Sequence, residues 1–321
     1  MITRQAIATA LSMIVATHAY AQASYPNHAI KVILPYTAAS PIDVSARIIA
    51  PALAARLGEP VVVENRAGGG TAIGLKAVMT ASPDGYTLLY TNSPTHVIAQ
   101  LLAKGFSYDP IKDFVPIVMV GSTSLVLVVA SDLPANTLQA FIAYAKAHPG
   151  ELNFGFGQGT LPQLVGEAFK MATGTEITSI PYRGGAAAVT DMLGGRIHMG
   201  LSADGNLLPL IRDGKIKALA VTSPARNPEL PDVPTMIESG LPTLTSVTHY
   251  GFLGPAGTSA NVVARINDDV NECLKAPELR AALLRAGFEP VGGSPRDFAA
   301  VIADQLQHWA PIVRASGFQM D

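Results

Sequence analysis

Two short turns built from small residues carry the chemistry that this sequence can offer. The first is Leu34-Pro35-Tyr36-Thr37-Ala38-Ala39-Ser40-Pro41-Ile42-Asp43, and the second is Phe154-Gly155-Phe156-Gly157-Gln158-Gly159-Thr160-Leu161-Pro162. Each stands where an apolar, strand-like run gives way to a helical pattern. A helix start presents unpaired N–H donors and the positive end of the helix dipole, so such a turn holds an anion, a carboxylate for example, without a lysine. Two turns of this kind in separate halves of one chain point to a molecule gripped between two domains.

Around the first turn the candidates are Tyr36, Ala39, Ser40 and Asp43. Ser40 offers a hydroxyl and an N–H. Asp43 only accepts, so it either caps the helix, holds a water or accepts from a ligand amine. Around the second turn they are Gln158, Gly159 and Thr160, where glycine lets the backbone approach a ligand closely. Thr91, Asn92 and Thr95 follow the carboxyl end of a strand, the usual ligand position in open α/β sheets, with His96 beside them as a surface or helix-start residue. Asp204 follows another strand. Arg183 either pairs with a carboxylate or braces the Pro181–Gly184 turn.

Catalytic constellations are missing from the sequence. Gly68-Gly69-Gly70 with Gly74 does not have dinucleotide-fingerprint spacing, and there is no phosphate-binding Gly-Lys-Ser/Thr and no Gly-x-Ser-x-Gly elbow. The seven histidines are scattered without zinc spacing, and the acids show no calcium-loop pattern. No metal, no cofactor and no enzymatic activity are expected. The formal net charge of −2 and the lack of any basic run argue against nucleic acid and anionic membranes.

The elements that must position the turns follow from periodicity. Ala29–Leu34 reads as a buried strand, Asp43–Leu57 as a helix stopped by Gly58, Pro60–Glu64 as a strand, Ala67-Gly68-Gly69-Gly70-Thr71 as the opening of a helix that runs to about Ala81, and Tyr86–Thr91 as a third strand. This alternation predicts βαβ units and a mainly parallel sheet. Phe114–Val120 and Leu125–Ala130 read as two strands separated by Gly121-Ser122-Thr123-Ser124, where the chain is expected to cross into a second domain. The alternation restarts there and runs to Val221. Near Val247–Gly251 the chain is expected to return to the first domain and to end in three helices, the last carrying Trp309 as core packing. The expected division is residues 22–124 and 248–321 for domain 1 and 125–247 for domain 2.

Residues 1–21 read as a signal peptide: Arg4 in the n-region, an apolar stretch Ala6 to Ala16, and the cleavage signal Ala19-Tyr20-Ala21. The stretch is shorter than the roughly 20 residues of a membrane span, and no cysteine follows the cleavage site to take a lipid. The sole cysteine, Cys273, falls in a helical run and reads as a buried thiol. A periplasmic, soluble mature protein beginning at Gln22 is expected.

Beyond these readings the chain resembles the Bug-type (TctC-like) extracytoplasmic solute receptors, the binding proteins of tripartite tricarboxylate transporters. The resemblance runs from Tyr25 to the C-terminus. It rests on the Pro35–Asp43 turn, Val61-Val62-Val63-Glu64-Asn65-Arg66, Ser82-Pro83-Asp84-Gly85-Tyr86-Thr87-Leu88-Leu89, Tyr108-Asp109-Pro110, Pro181-Tyr182-Arg183-Gly184, Asp191-Met192-Leu193-Gly194-Gly195, Leu230-Pro231-Asp232-Val233-Pro234-Thr235 and Gly254-Pro255-Ala256-Gly257-Thr258. It implies a two-lobed Venus-flytrap α/β fold, each lobe a mainly parallel sheet flanked by helices. It also implies a small carboxylate held by turn amides and ordered waters, and membrane transporter subunits as partners of a monomeric receptor. The family's glycine pair in the first turn is Ala39-Ser40 here, its Phe is Tyr36, its Ser in the second turn is Gly155, its His after that turn is Gln163, and its Trp before Gly251 is aligned with His249. His249 therefore joins the candidate ligand contacts, and a different or bulkier acid than an amino-acid dicarboxylate is expected. The alternative to delivery is a sensor that presents its closed form to a membrane signalling protein. A third reading, an exported enzyme, predicts turnover of the bound acid.

Overall fold

Apolar β-branched runs and helical stripes alternate along the chain, and the fold follows that alternation. The structure is a computed structural model that describes residues 25–102, 107–157, 160–182 and 184–316, with residues 70, 102, 204–206, 315 and 316 described by their backbone alone. The signal-peptide segment, residues 1–21, lies outside the described residues.

Strand β1 (Ile30–Leu34) lies parallel to β2 (Val61–Asn65) and β3 (Thr87–Asn92). Helix α1 (Pro41–Leu57) joins the first two. Pro41 suits its opening position because a helix start has no acceptor for that N–H, and Gly58 ends it at a left-handed φ of 77°, with its N–H on Ala54 O at 2.9 Å. Helix α2 (Ala72–Met79) and helix α3 (Ser93–Leu102) follow β2 and β3.

Residues 114–130 form one 17-residue strand, β4 (Phe114–Ala130), where two strands with a turn between them are expected from composition. Local sequence misleads here because Gly121-Ser122-Thr123-Ser124 looks like a turn. In the fold these residues pair with Tyr250, His249, Thr248 and Val247 of β9 (Val247–Pro255). Tertiary pairing overrides local preference in strands. A Cβ at Gly121 would lie 3.1 Å from Glu289 O, a tight approach made by the short strand β10 (Glu289–Pro290) that pairs antiparallel with β4 here.

The second half comprises α4 (Leu138–Ala147), β5 (Asn153–Gly157), α5 (Leu161–Thr173), β6 (Thr178–Tyr182), α6 (Gly185–Leu193), β7 (Met199–Ala203), α7 (Asp204–Arg212) and β8 (Ile216–Val221). The chain closes with α8 (Ala260–Lys275), α9 (Pro277–Arg285) and α10 (Pro295–Ser316). The strand order is β2-β1-β3-β9-β4-β7-β5-β6, with β8 and β10 also paired to β4. The outer strands of each half are parallel, whereas every pairing of β4 or β9 is antiparallel, so the sheets are mixed. Antiparallel strands arise where the chain crosses from one half to the other and back without a helical crossover.

Ser124 is the last residue of β4 paired with β9, and Leu125 is the first paired with β7. One strand thus serves two sheets, and two lobes with separate cores lie on either side. Ile30, Leu34, Ile49, Leu53 and Phe252 belong to one core, and Phe141, Phe154, Phe169 and Val128 to the other. Helix α10 reaches across: Phe298 and Ile302 pack with residues of the first lobe, and Trp309 and Val313 pack into the core of the second. Buried Trp309 donates its indole N–H to Gln305 Oε1 at 2.7 Å, which satisfies its one polar atom. Cys273 is buried in α8, and burial pushes its thiol pKa up, which suits an inert core group.

Candidate functional site

Between the lobes lies a cleft of about 1320 Å³. Its walls are helix starts. Ser40, Pro41 and Ile42 open α1 on one side, Thr160, Leu161 and Pro162 open α5 on the other, and Gly184, Gly185 and Ala186 open α6 beside them. None of Ser40, Thr160 and Gly184 gives its helix a side-chain cap. The Ser40 hydroxyl instead donates to Thr37 O at 2.7 Å, and the Thr160 hydroxyl donates to Gly157 O at 2.6 Å. The three helix starts thus reach the cleft from both lobes without a side-chain cap from Ser40, Thr160 or Gly184. Among the described lining residues none carries a charge. An anion in this cleft meets amides, hydroxyls and helix dipoles.

The turn that carries Ser40 is braced from behind. Asp43 is buried, and its carboxylate accepts from the Ala39 N–H at 2.9 Å, from Arg47 Nε at 3.0 Å and from Asn65 Nδ2 at 2.9 Å. Asn65 also donates to Tyr36 O at 3.2 Å, which ties β2 to the same turn. Burial alone would raise the Asp43 pKa, but these hydrogen bonds outweigh it and hold the carboxyl below its ordinary value. Tyr36 lines the cleft and shares a 3.1 Å hydrogen bond with Thr91, and burial raises its phenol pKa. Asn92 Oδ1 accepts from the Thr95 N–H at 2.9 Å and so closes the start of α3.

Strain gathers at the same rim. Ala39 and Thr71 are the non-glycine residues with positive φ among those described, at 61° and 83°. Thr71 lines the cleft, and Ala39 precedes Ser40 in the first turn. A β-branched residue in that region is costly, and such positions persist where the surrounding structure imposes them.

The structure brings Tyr36, Ser40, Asn92, Thr95 and Thr160 together on one cleft. Ala39, Asp43 and Thr91 stand behind the lining and hold it through the bonds just described. His249 is not among the lining residues; its neighbours Thr248 and Tyr250 are, because side chains alternate along a strand. Burial lowers the His249 pKa, and its backbone N–H donates to Ser93 Oγ at 3.3 Å. His96 stands in the first turn of α3, the helix-start position and not the surface one, and is fully buried with Nε2 on Pro110 O at 3.0 Å. Gln158, Gly159 and Arg183 lie outside the described residues, and the side chain of Asp204 is likewise outside them.

Sequence reasoning missed the floor of the cleft. Thr123 of β4 and Thr248 and Tyr250 of β9 come from the crossing strands. The one signal available was alternation along Thr248-His249-Tyr250, which puts the outer two on the face opposite His249. It also missed the glycines that open α6, which add no side chain to the wall.

No group of three or more histidines, cysteines or carboxylates that could hold a metal occurs among the described residues. No helix among them is long and apolar enough to cross a membrane.

Comparison with known proteins places these features in a family. The family model described as "Tripartite tricarboxylate transporter family receptor" matches residues 45–318. Protein BugT of Bordetella pertussis is 37% identical over 299 residues, covering 92% of this chain and 92% of that protein. Rpa4515 of R. palustris, solved with adipate, superposes with a TM-score of 0.79 at 31% identity, over 92% of this chain and 99% of that one. MatC from Rhodopseudomonas palustris, solved with bound malate, gives a TM-score of 0.76 at 28% identity, over 90% and 100%. The family is one of solute-binding receptors and not of enzymes. This chain belongs to the tripartite tricarboxylate transporter receptor family, as a Bug-type, two-lobed α/β solute-binding protein.

Proposed function

We propose that this chain captures a small carboxylate between its lobes in the periplasm and delivers it, as a monomer, to the membrane subunits of a tripartite tricarboxylate-type transporter. The observation that carries the reading is the cleft: uncapped starts of α1, α5 and α6 face it from both lobes, and no described lining residue is charged. A carboxylate that contacts both lobes favours the closed arrangement by its differential affinity for it. Adipate and malate in the solved relatives support the ligand class. The lobes divide at Ser124/Leu125 and again near Val247, where the pairing of β4 changes partner and β9 begins. Export follows cleavage near Ala21.

A thermal-shift screen of the chain from Gln22 onward against mono-, di- and tricarboxylates tests the binding, since a ligand specific to the folded state raises the melting temperature by mass action. At least one acid is expected to raise it, with the shift reduced in Ser40→Ala and Thr160→Ala. A panel with no shift overturns the reading. Delivery is tested by uptake of that acid in cells lacking the chain, where undiminished uptake counts against it.

A further inference from the structure

One side chain ties together the two strands that cross between the lobes. Strands β4 and β9 pair as far as Ser124 and Val247. Past that rung β4 pairs with the second-lobe strands β7 and β8 instead. Thr222, which directly follows β8, stands between Leu125 of β4 and Ser246, the residue before β9. Its hydroxyl accepts from the Leu125 N–H at 2.9 Å and donates to Ser246 O at 2.7 Å, so both of its capacities are used. Its backbone repeats the link: the Thr222 N–H donates to Leu125 O, and the Ser246 N–H donates to Thr222 O, each at 2.8 Å. Thr222 is fully buried, so water does not compete for these bonds, and losing the hydroxyl would strand a buried N–H and a buried C=O.

We infer that Thr222 is the positioning residue of the hinge: it clips the two crossing strands at one level, so that both bend together and the second lobe swings as one body when the cleft closes. The inference rests on the closure proposed above. The clip fastens Leu125 and Ser246 to the end of β8, a second-lobe strand, so these residues travel with that lobe. The bend then falls on the rungs just before the clip, Ser124 with Val247 and Thr123 with Thr248. A hinge is a few residues that absorb the change in φ and ψ. Thr123 and Thr248 line the cleft, so strands free to bend at different levels would also change the cleft floor that meets the ligand.

The test places spin labels on Val44→Cys in α1 and Ala187→Cys in α6, exposed positions on opposite walls of the cleft, while Cys273 is buried. Pulsed electron resonance measures the distance between the lobes without ligand and with malate or adipate. Calorimetry measures the affinity for the same acids. The near-isosteric Thr222→Val removes the hydroxyl. It should broaden the distance distribution with and without acid and weaken binding about tenfold, the net worth of roughly one hydrogen bond. Thr222→Ser should keep the parent distribution and affinity. A Thr222→Val protein that is less stable but keeps the parent distances and affinity overturns the inference, because a purely structural threonine would behave in that way. Hydrogen exchange on the unsubstituted chain provides a second measurement, which decides the matter should Thr222→Val fail to fold. The Leu125 and Ser246 amides should be equally protected with and without acid, and protection that changes with acid overturns the inference by showing that the clip opens in the motion. Failure of every acid in the panel to bind overturns the capture reading, whereas the distances in the ligand-free proteins still decide this one, an unbroadened distribution in Thr222→Val overturning it.

Discussion

The Ala39 N–H donates to Asp43 Oδ2 at 2.9 Å, and this bond holds the first turn in the shape that presents Ser40 to the cleft. Asp43 is thereby a brace. Its remaining acceptor capacity is engaged by Arg47 and Asn65, and it is not among the residues that line the cleft.

Substituting that brace should damage both stability and binding. Asp43→Ala leaves the Ala39 N–H and Asn65 Nδ2 without their acceptor, at a cost of about 1–3 kcal/mol. Chemical denaturation should show the loss, and the acid-induced thermal shift should shrink further than the lower melting point alone explains. The carboxyl pKa is held below its ordinary value in the fold, so its contribution is present above the unfolded value and is lost as pH falls through the folded one.

Ala39 sits at φ 61°, in the left-handed region where a Cβ is unfavourable. Ala39→Gly should therefore stabilise the protein by about 1 kcal/mol, the relief of strain exceeding the entropy that glycine adds to the unfolded chain. An unchanged or lowered midpoint in urea would show that the turn does not bear this strain.

Gly185 opens α6 on the cleft wall, and a Cβ there meets nothing within 4 Å. Gly185→Leu should change stability by no more than about 0.5 kcal/mol, as surface substitutions do. It should nonetheless abolish acid binding, because the side chain occupies the space before the α6 amides. Binding that persists in a normally folded Gly185→Leu protein would remove α6 from the site.

His96 is fully buried, and desolvation pushes its pKa down to about 4, against the backbone bond to Pro110 that raises it. A histidine whose folded pKa is depressed gives stability that is complete above its unfolded value of about 6.5 and is lost as pH falls from there toward 4. The fall should total about 3 kcal/mol across that window. Denaturation midpoints at pH 7 and pH 4.5 measure it, and His96→Gln should flatten the dependence even where it lowers stability at pH 7.

The local architecture was legible in the sequence. Helical stripes and β-branched runs are short-range patterns, so Asp43–Leu57 was legible as a helix that opens from a turn of small residues; the structure begins it at Pro41. Tertiary structure alone decided what the crossing strands do. Gly121-Ser122-Thr123-Ser124 looks like a turn because nothing nearby in the chain offers it a partner, and its partners lie more than 120 residues later in β9. That long-range pairing makes β4 one strand, makes the sheets mixed and puts the Thr123, Thr248 and Tyr250 hydroxyls on the cleft floor. The same pleat turns His249 to the opposite face. That Asp43 braces the turn was equally undecidable from sequence, because its bond to Asn65 depends on the neighbouring strand β2, which the fold brings beside it.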